Sequence, residues 1–214
     1  WLLQNGLTQT HQNNMGAFGG PDIVTDGLVL ALDAGSTRSY PGTGTIWYDL
    51  SGNGNDHGIV NGPTFANGAF TMNETQGFNI GSMPTTSTTG TIVIFYKTTD
   101  QQELWVKGNT GSFYVAASYS NGNYYNENVG SPTYYVDTLT TVNPNTPINY
   151  RNGDYHMWEA KNCNFSTWTQ LSWFLYGSSW NLNGTVAKIM MYDRALTAAE
   201  SQQNFNAFKN RFDI

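Results

Sequence analysis

Short apolar runs at period two, broken by Asn-Gly and other Gly-containing steps, recur along the chain and predict strands rather than helices. In Gly27–Ala34 the residues Leu28, Leu30 and Leu32 fall on one face, with Val29 and Ala31 on the other. Shorter runs follow at Thr45–Tyr48, His57–Val60, Ala69–Met72 and Gly77–Ile80. Asn61-Gly62-Pro63 and Asn67-Gly68 punctuate them with residues that accept positive φ. Thr91–Lys97 is apolar on both faces, the pattern of a strand central in a sandwich. Gln102–Lys107 and Ser112–Tyr119 read as its antiparallel successors, turned at Gly108–Gly111. The stretch 121–147 is rich in Asn, Tyr and Thr and contains Pro132, Pro144 and Pro147, so irregular edge strands and long loops are expected there. Strand patterns return at Tyr155–Lys161, Gln170–Tyr176 and Thr185–Tyr192. In the last, Ala187, Ile189 and Met191 share one face and Val186, Lys188 and Met190 the other.

One helix is predicted, over about Ala198–Arg211. Thr197 and Glu200 have the spacing of a capping box, and Phe205, Phe208 and Phe212 form an apolar stripe that ties the helix to the body. Many short strands and one terminal helix define an all-β protein, a two-sheet antiparallel sandwich or barrel with a short C-terminal helix. Residues 1–22 differ. They are rich in Gln, Asn and Gly, with Trp1, Leu2 and Leu3 as the only apolar cluster, and two readings are open: an arm or linker with these first residues as candidates for docking on a partner, or an ordinary packed N-terminal extension. Residues 23–214 form the domain. The chain begins at Trp1 without a signal-peptide pattern, as expected of a processed product or a piece of something larger.

Composition narrows the functions open to such a body. Only 11% of residues are charged while 14% are aromatic, so the exposed faces must be Asn, Thr, Ser and Tyr rather than charge. A net charge of −6 with nine scattered Lys and Arg leaves no basic patch for nucleic acid. The longest apolar runs fall far short of the roughly 20 residues of a membrane helix, so no membrane insertion is expected. A single cysteine, Cys163, excludes an internal disulfide and a cysteine-based zinc site.

Two segments carry a family resemblance. The first is Gly27-Leu28-Val29-Leu30-Ala31-Leu32-Asp33-Ala34-Gly35, continued by Tyr40-Pro41-Gly42-Thr43-Gly44 and Trp47-Tyr48-Asp49-Leu50-Ser51-Gly52-Asn53-Gly54-Asn55. The second runs from Leu182-Asn183-Gly184-Thr185 through Tyr192-Asp193-Arg194-Ala195-Leu196-Thr197 to Glu200. Together they resemble the concanavalin A-like lectin/glucanase superfamily, in its laminin-G-like or pentraxin-like branch, and the versions found in virion proteins of tailed phages. The resemblance implies a jelly roll with its first and last strands adjacent and its termini close together. It also implies a binding role, toward carbohydrate, other proteins or copies of itself.

Candidate chemistry is sparse. Asp49, Ser51 and Asn53 alternate as in the first half of an EF-hand loop, with Gly54 at the turn. Position twelve is Val60, which offers no carboxylate, so calcium and a plain polar turn are both open readings. Asp33 and Asp193 end two strands expected to be neighbours and form a second candidate metal pair, with Asp193 pairing Arg194 or capping a turn as the other reading. A retaining glucanase needs two carboxylic acids about 5–5.5 Å apart. Glu74, Glu103, Glu127, Glu159 and Glu200 all lack an acidic neighbour two or four residues away, so no catalytic residues are assigned and no enzyme is expected. Cys163 is expected to be buried and inert, and His57 and His156 to be surface turn residues. Trp47, Trp105, Trp158 and Trp173 are expected in the core.

Sugar contact calls for flat rings beside amides. Tyr119, Asn121, Asn123, Tyr124, Tyr125 and Asn126 form the candidate glycan patch, although such tyrosines serve protein contacts equally well. The expected role is a non-enzymatic virion structural or adhesion module of a phage, at the virion surface, touching other virion proteins or the rest of a parent chain and binding surface glycans weakly. The alternative is a carbohydrate-binding module of a secreted or surface bacterial protein, with calcium.

Overall fold

The computed structural model describes residues 22–99, 104–108, 114–117, 124–138, 140–141, 152–175 and 182–214. Its strands are β1 (Leu28–Asp33), β2 (Ile46–Trp47), β3 (His57–Val60), β4 (Thr64–Ala66), β5 (Ala69–Asn73), β6 (Gly77–Ile80), β7 (Gly90–Lys97), β8 (Leu104–Lys107), β9 (Tyr114–Ala117), β10 (Tyr124–Glu127), β11 (Gly130–Val136), β12 (Thr140–Thr141), β13 (His156–Cys163), β14 (Leu171–Trp173) and β15 (Asn183–Tyr192). One helix, α1 (Ala198–Phe212), closes the chain. The strands form two antiparallel sheets. The first has eight strands in the order β12-β11-β13-β7-β15-β5-β4, with β1 also pairing β15; the second has seven, in the order β10-β9-β8-β14-β6-β3-β2. The all-β sandwich with a C-terminal helix is thus the observed architecture, with β1 and β15 adjacent as expected.

The inner faces of the two sheets share one core. Leu30, Phe70, Ile94, Trp158 and Ile189 from the first sheet meet Trp47, Phe78, Val106, Leu171 and Trp173 from the second. Tyr40, Phe70, Trp47 and Phe78 form a chain of ring contacts with centroids 4.7–4.9 Å apart. β7 lies between β13 and β15, with one row of side chains in this core and Val93 and Phe95 on the opposite face. That is why it is apolar on both sides.

The opposite face of the first sheet lies under α1. The capping box at Thr197 and Glu200 starts the helix, and Phe208 and Phe212 both pack on Phe95, at 5.2 and 5.1 Å between centroids. Two buried polar clusters lie beneath it. Lys161 binds Glu159 and Ser201, and Asp33 binds Lys188 and Arg211.

Two β-bulges change the predicted faces. The register shifts between Leu28 and Leu30, so Val29 packs with Leu30 and Leu32 in the core while Leu28 joins the helix side. It shifts again between Val186 and Lys188, which puts Ala187 under the helix and Val186, Ile189 and Met191 in the core. An extra residue in one strand reverses the alternation beyond it. The second bulge also marks where one edge of β15 passes from β5 to β1. Asn67 and Gly68, both at positive φ, turn the β4–β5 hairpin. In the region expected to be irregular, β11 is a seven-residue strand beside β13, with Pro132 inside its register shift, where its missing N–H disturbs no ladder bond.

Candidate glycan-binding face

Nothing among the described residues covers the outer face of the second sheet. Trp47, Phe78, Leu171, Trp173 and Val106 turn inward, so the residues alternating with them come out on the other side. Register carries one line of residues across all seven strands. Ile46 pairs Gly58, Gly58 pairs Asn79, Asn79 pairs Ser172, Ser172 pairs Lys107, Lys107 pairs Tyr114 and Tyr114 pairs Glu127. Near its middle a depression of about 320 Å³ is lined by Asn79, Gly81, Gly108, Gln170, Leu171 and Ser172. That volume is at the low end for ligand pockets, roughly 300–1,000 Å³. Its described lining offers amides, a hydroxyl and bare backbone, and no charged group.

Two glycines shape this floor. A Cβ on Gly58 would stand 2.8 Å from Asn79 Oδ1, so the missing side chain is what lets the amide lie across β3. A Cβ on Gly108 would come within 2.6 Å of the Trp168 ring, a buried indole whose N–H donates to the Asn128 carbonyl.

Beneath β6 the face is braced from the core. Trp173 Nε1–H donates to His57 Nε2 at 2.7 Å, which leaves Nδ1 to carry the ring hydrogen toward the Asn55 carbonyl at 2.8 Å. β3 and β14 flank β6, so this bond passes under the strand that bears Asn79. Burial drives the His57 pKa from 6.5 down to about 4, against the smaller opposing pull of the Asn55 carbonyl and of Asp49 and Asp56. The expectation that His57 and His156 are surface turn residues is therefore corrected. His57 is fully buried in β3, and His156 lies in β13 with Nδ1 2.7 Å from Asp137 and Nε2 3.0 Å from Asn152. Local sequence could not show that both strands turn these rings toward partners. Cys163 is buried, its thiol pushed up by burial, and donates weakly to the Ala160 carbonyl. Trp47, Trp158 and Trp173 are core residues.

The predicted site residues are only partly brought together. Trp1, Leu2, Leu3, Tyr119, Asn121 and Asn123 lie outside the described residues, as do the side chains of Trp105, Tyr124 and Tyr125. Tyr124, Tyr125 and Asn126 belong to β10, the edge strand of the second sheet, and Asn126 is exposed. Register puts position 125 in line with 116 and 105, two residues along from the Lys107–Tyr114–Glu127 segment. Positions 124 and 126 fall on the alternate lines.

Asp33 and Asp193 do not meet. Their strands run antiparallel, so Asp33 is paired with Lys188 while the Asp193 amide bonds Gly27 at the other end. Asp49, Ser51 and Asn53 form one compact turn docked on β1. The Asp49 carboxylate accepts from the amides of Ala31, Ser51 and Asn55 and from the Ser51 hydroxyl. The amide groups of Asn53 and Asn55 donate to the carbonyls of Leu28 and Val29. A cation here would have to displace hydrogen bonds that already satisfy Asp49, so this loop fits calcium poorly. Calcium at about 5 mM, above the roughly millimolar affinity of weak extracellular modules, is expected to leave the melting temperature unchanged in a thermal-shift measurement.

No protein-family model matches the chain, and no curated protein sequence matches it. Solved structures do resemble its fold. A Trypanosoma rangeli sialidase in complex with an inhibitor matches with a TM-score of 0.56 at 15% identity, over 87% of this chain and 34% of the sialidase. The chain therefore spans about a third of the length of such sialidases. Domain 4 of a GH43 extracellular arabinanase from Geobacillus stearothermophilus, in complex with arabinotriose, matches with a TM-score of 0.56 at 11% identity, over 84% of this chain and 98% of that domain. The binding domain of Paraclostridial Mosquitocidal Protein 1 matches with a TM-score of 0.50 at 14% identity, over 87% of this chain and 53% of that chain. At these identities the likeness is one of fold, a β-sandwich shared with domains of larger proteins. Among the described residues, no helix is long and apolar enough to cross a membrane.

Proposed function

We propose that this chain is a non-enzymatic carbohydrate-binding β-sandwich module whose glycan site is the outer face of the second sheet, centred on Asn79 and Ser172. The observation that carries the proposal is the uncharged depression of amide, hydroxyl and glycine on a sheet face that nothing described covers. Neutral sugars are read by such groups, which bond hydroxyls without the desolvation cost of a buried charge. The absence of a carboxylic acid from its described lining supports binding over hydrolysis, which needs two. The arabinotriose complex of a domain with this fold supports the same reading. In its finer form, the proposal is that the end motifs mark a laminin-G-like, concanavalin A-like domain of a tailed-phage virion protein. It would be displayed at the virion surface, where many weak contacts add by avidity.

Calorimetric titration with neutral arabino-, xylo-, gluco- and galacto-oligosaccharides tests it. At least one series is expected to bind, and Asn79→Ala to weaken that binding about tenfold, the loss of one or two hydrogen bonds. Gly58→Ala, which keeps the amide but crowds it, is expected to weaken binding in the same direction. Silence across the panel overturns the reading.

A further inference from the structure

Resting on that reading, we propose that Tyr48 is a stacking platform for a second sugar unit, so that the site takes a disaccharide or longer chain rather than a single terminal sugar. Ile46 and Tyr48, 37% and 44% exposed, are the large apolar side chains left exposed among the described residues. They flank Trp47, which turns into the core, and so emerge on the outer side. Continuing the register one residue beyond Trp47–His57 sets Tyr48 in line with Asp56, Gly81 and Gln170, the last two of which line the depression. β2 and β6 are separated by β3 alone, so Tyr48 stands about two strand spacings, roughly 10 Å, from the depression. That is the reach of a second pyranose or furanose ring.

The backbone of Tyr48 is fixed on both sides. Its N–H donates to the Ser39 carbonyl at 2.7 Å, and its carbonyl accepts from the buried Ser39 hydroxyl at 2.6 Å. An exposed ring on a clamped backbone loses little freedom when a ligand settles on it. Its flat apolar face suits the C–H face of a sugar. On β3, Gly58 raises no side chain beside Asn79, and Asp56, the residue in line between Tyr48 and Gly81, has its carboxylate turned to the Asp49 amide, which donates to Oδ1 at 2.8 Å.

The test is titration of the full chain with the one-, two- and three-unit members of whichever oligosaccharide series binds. Affinity is expected to rise about five- to tenfold from one unit to two. Tyr48→Ala is expected to remove that step while leaving the one-unit affinity in place, and Tyr48→Trp to keep it. The Ser39 bonds are made by backbone atoms of residue 48, so the fold survives either change, which a thermal melt of each variant checks. If Tyr48→Ala binds two- and three-unit ligands like the parent, or if one unit binds as tightly as two, the Tyr48 assignment is wrong and glycan binding stands. If the unaltered chain binds no member of any series, both fail together.

Discussion

Asp33→Ala is expected to destabilise the domain by about 3–5 kcal/mol in urea unfolding, the cost of leaving a buried charge without its partner. Burial pushes the Asp33 carboxyl up, but Lys188 and Arg211 outweigh it and hold the group below its usual 3.8. Lys188 is 4% exposed, its Nζ 3.2 Å from Asp33 and 4.3 Å above the Phe208 ring. Arg211 reaches both carboxylate oxygens from the last turn of α1, at 2.8 and 3.0 Å. Removing Asp33 strands the ammonium against apolar surface and unties the helix end at once. The double variant Asp33→Ala/Lys188→Met is expected to regain most of the loss, because no buried charge then remains unpaired. A single variant costing under about 1 kcal/mol would show that the Asp33 cluster contributes little to holding α1.

Acid is expected to weaken the domain through His57. With a folded pKa near 4 against 6.5 unfolded, the unfolded chain binds more protons between those values. The stabilisation is therefore complete above about pH 6.5 and is lost as pH falls toward 4, by roughly 3 kcal/mol in total. Protonation would also set an Nε2–H against the Trp173 N–H, replacing an acceptor by a second donor. In His57→Gln the side chain at position 57 can still accept from Trp173 and no longer titrates, so its urea midpoint is expected to fall less across this window than that of the parent. Asp33 acts in a separate range. Its carboxyl is held below 3.8, so its contribution is full above about pH 4 and disappears only in stronger acid. A parent midpoint that does not move between pH 6.5 and 4.5 would remove His57 as the cause.

Strand positions were legible because alternation is local, and α1 because its cap and phenylalanine stripe lie within 16 residues. Faces were legible only up to each bulge. Nothing in Leu28-Val29-Leu30 or Val186-Ala187-Lys188 announces an extra residue, and the partner strand alone reveals it. The proposed site was less legible still. Asn79, Ser172 and Tyr48 are unremarkable in sequence and become neighbours through pairings between β2, β3, β6 and β14, which are separated by up to about 120 residues. Searching for rings next to amides in sequence selects Tyr119–Asn126, of which Tyr124, Tyr125 and Asn126 fall on the edge strand β10 of the same sheet and the rest lie outside the described residues. The one available signal for Tyr48 was its alternation with Trp47: a core tryptophan on a short edge strand forces its neighbours outward.

The position of β7 has a consequence for synthesis. Its eight residues are complete at Lys97, but its neighbours β13 and β15 are translated only by Cys163 and Tyr192. Until then a long, doubly apolar strand, charged only at its last residue Lys97, leaves the ribosome with both edges open, the kind of segment that recruits other chains. A nascent chain must shelter this strand for nearly a hundred residues, and the domain can close only when its last strand arrives between β7 and β1. The protein is thus exposed to aggregation while it is being made far more than once it is finished, and fragments that stop short of Tyr192 inherit that exposure permanently.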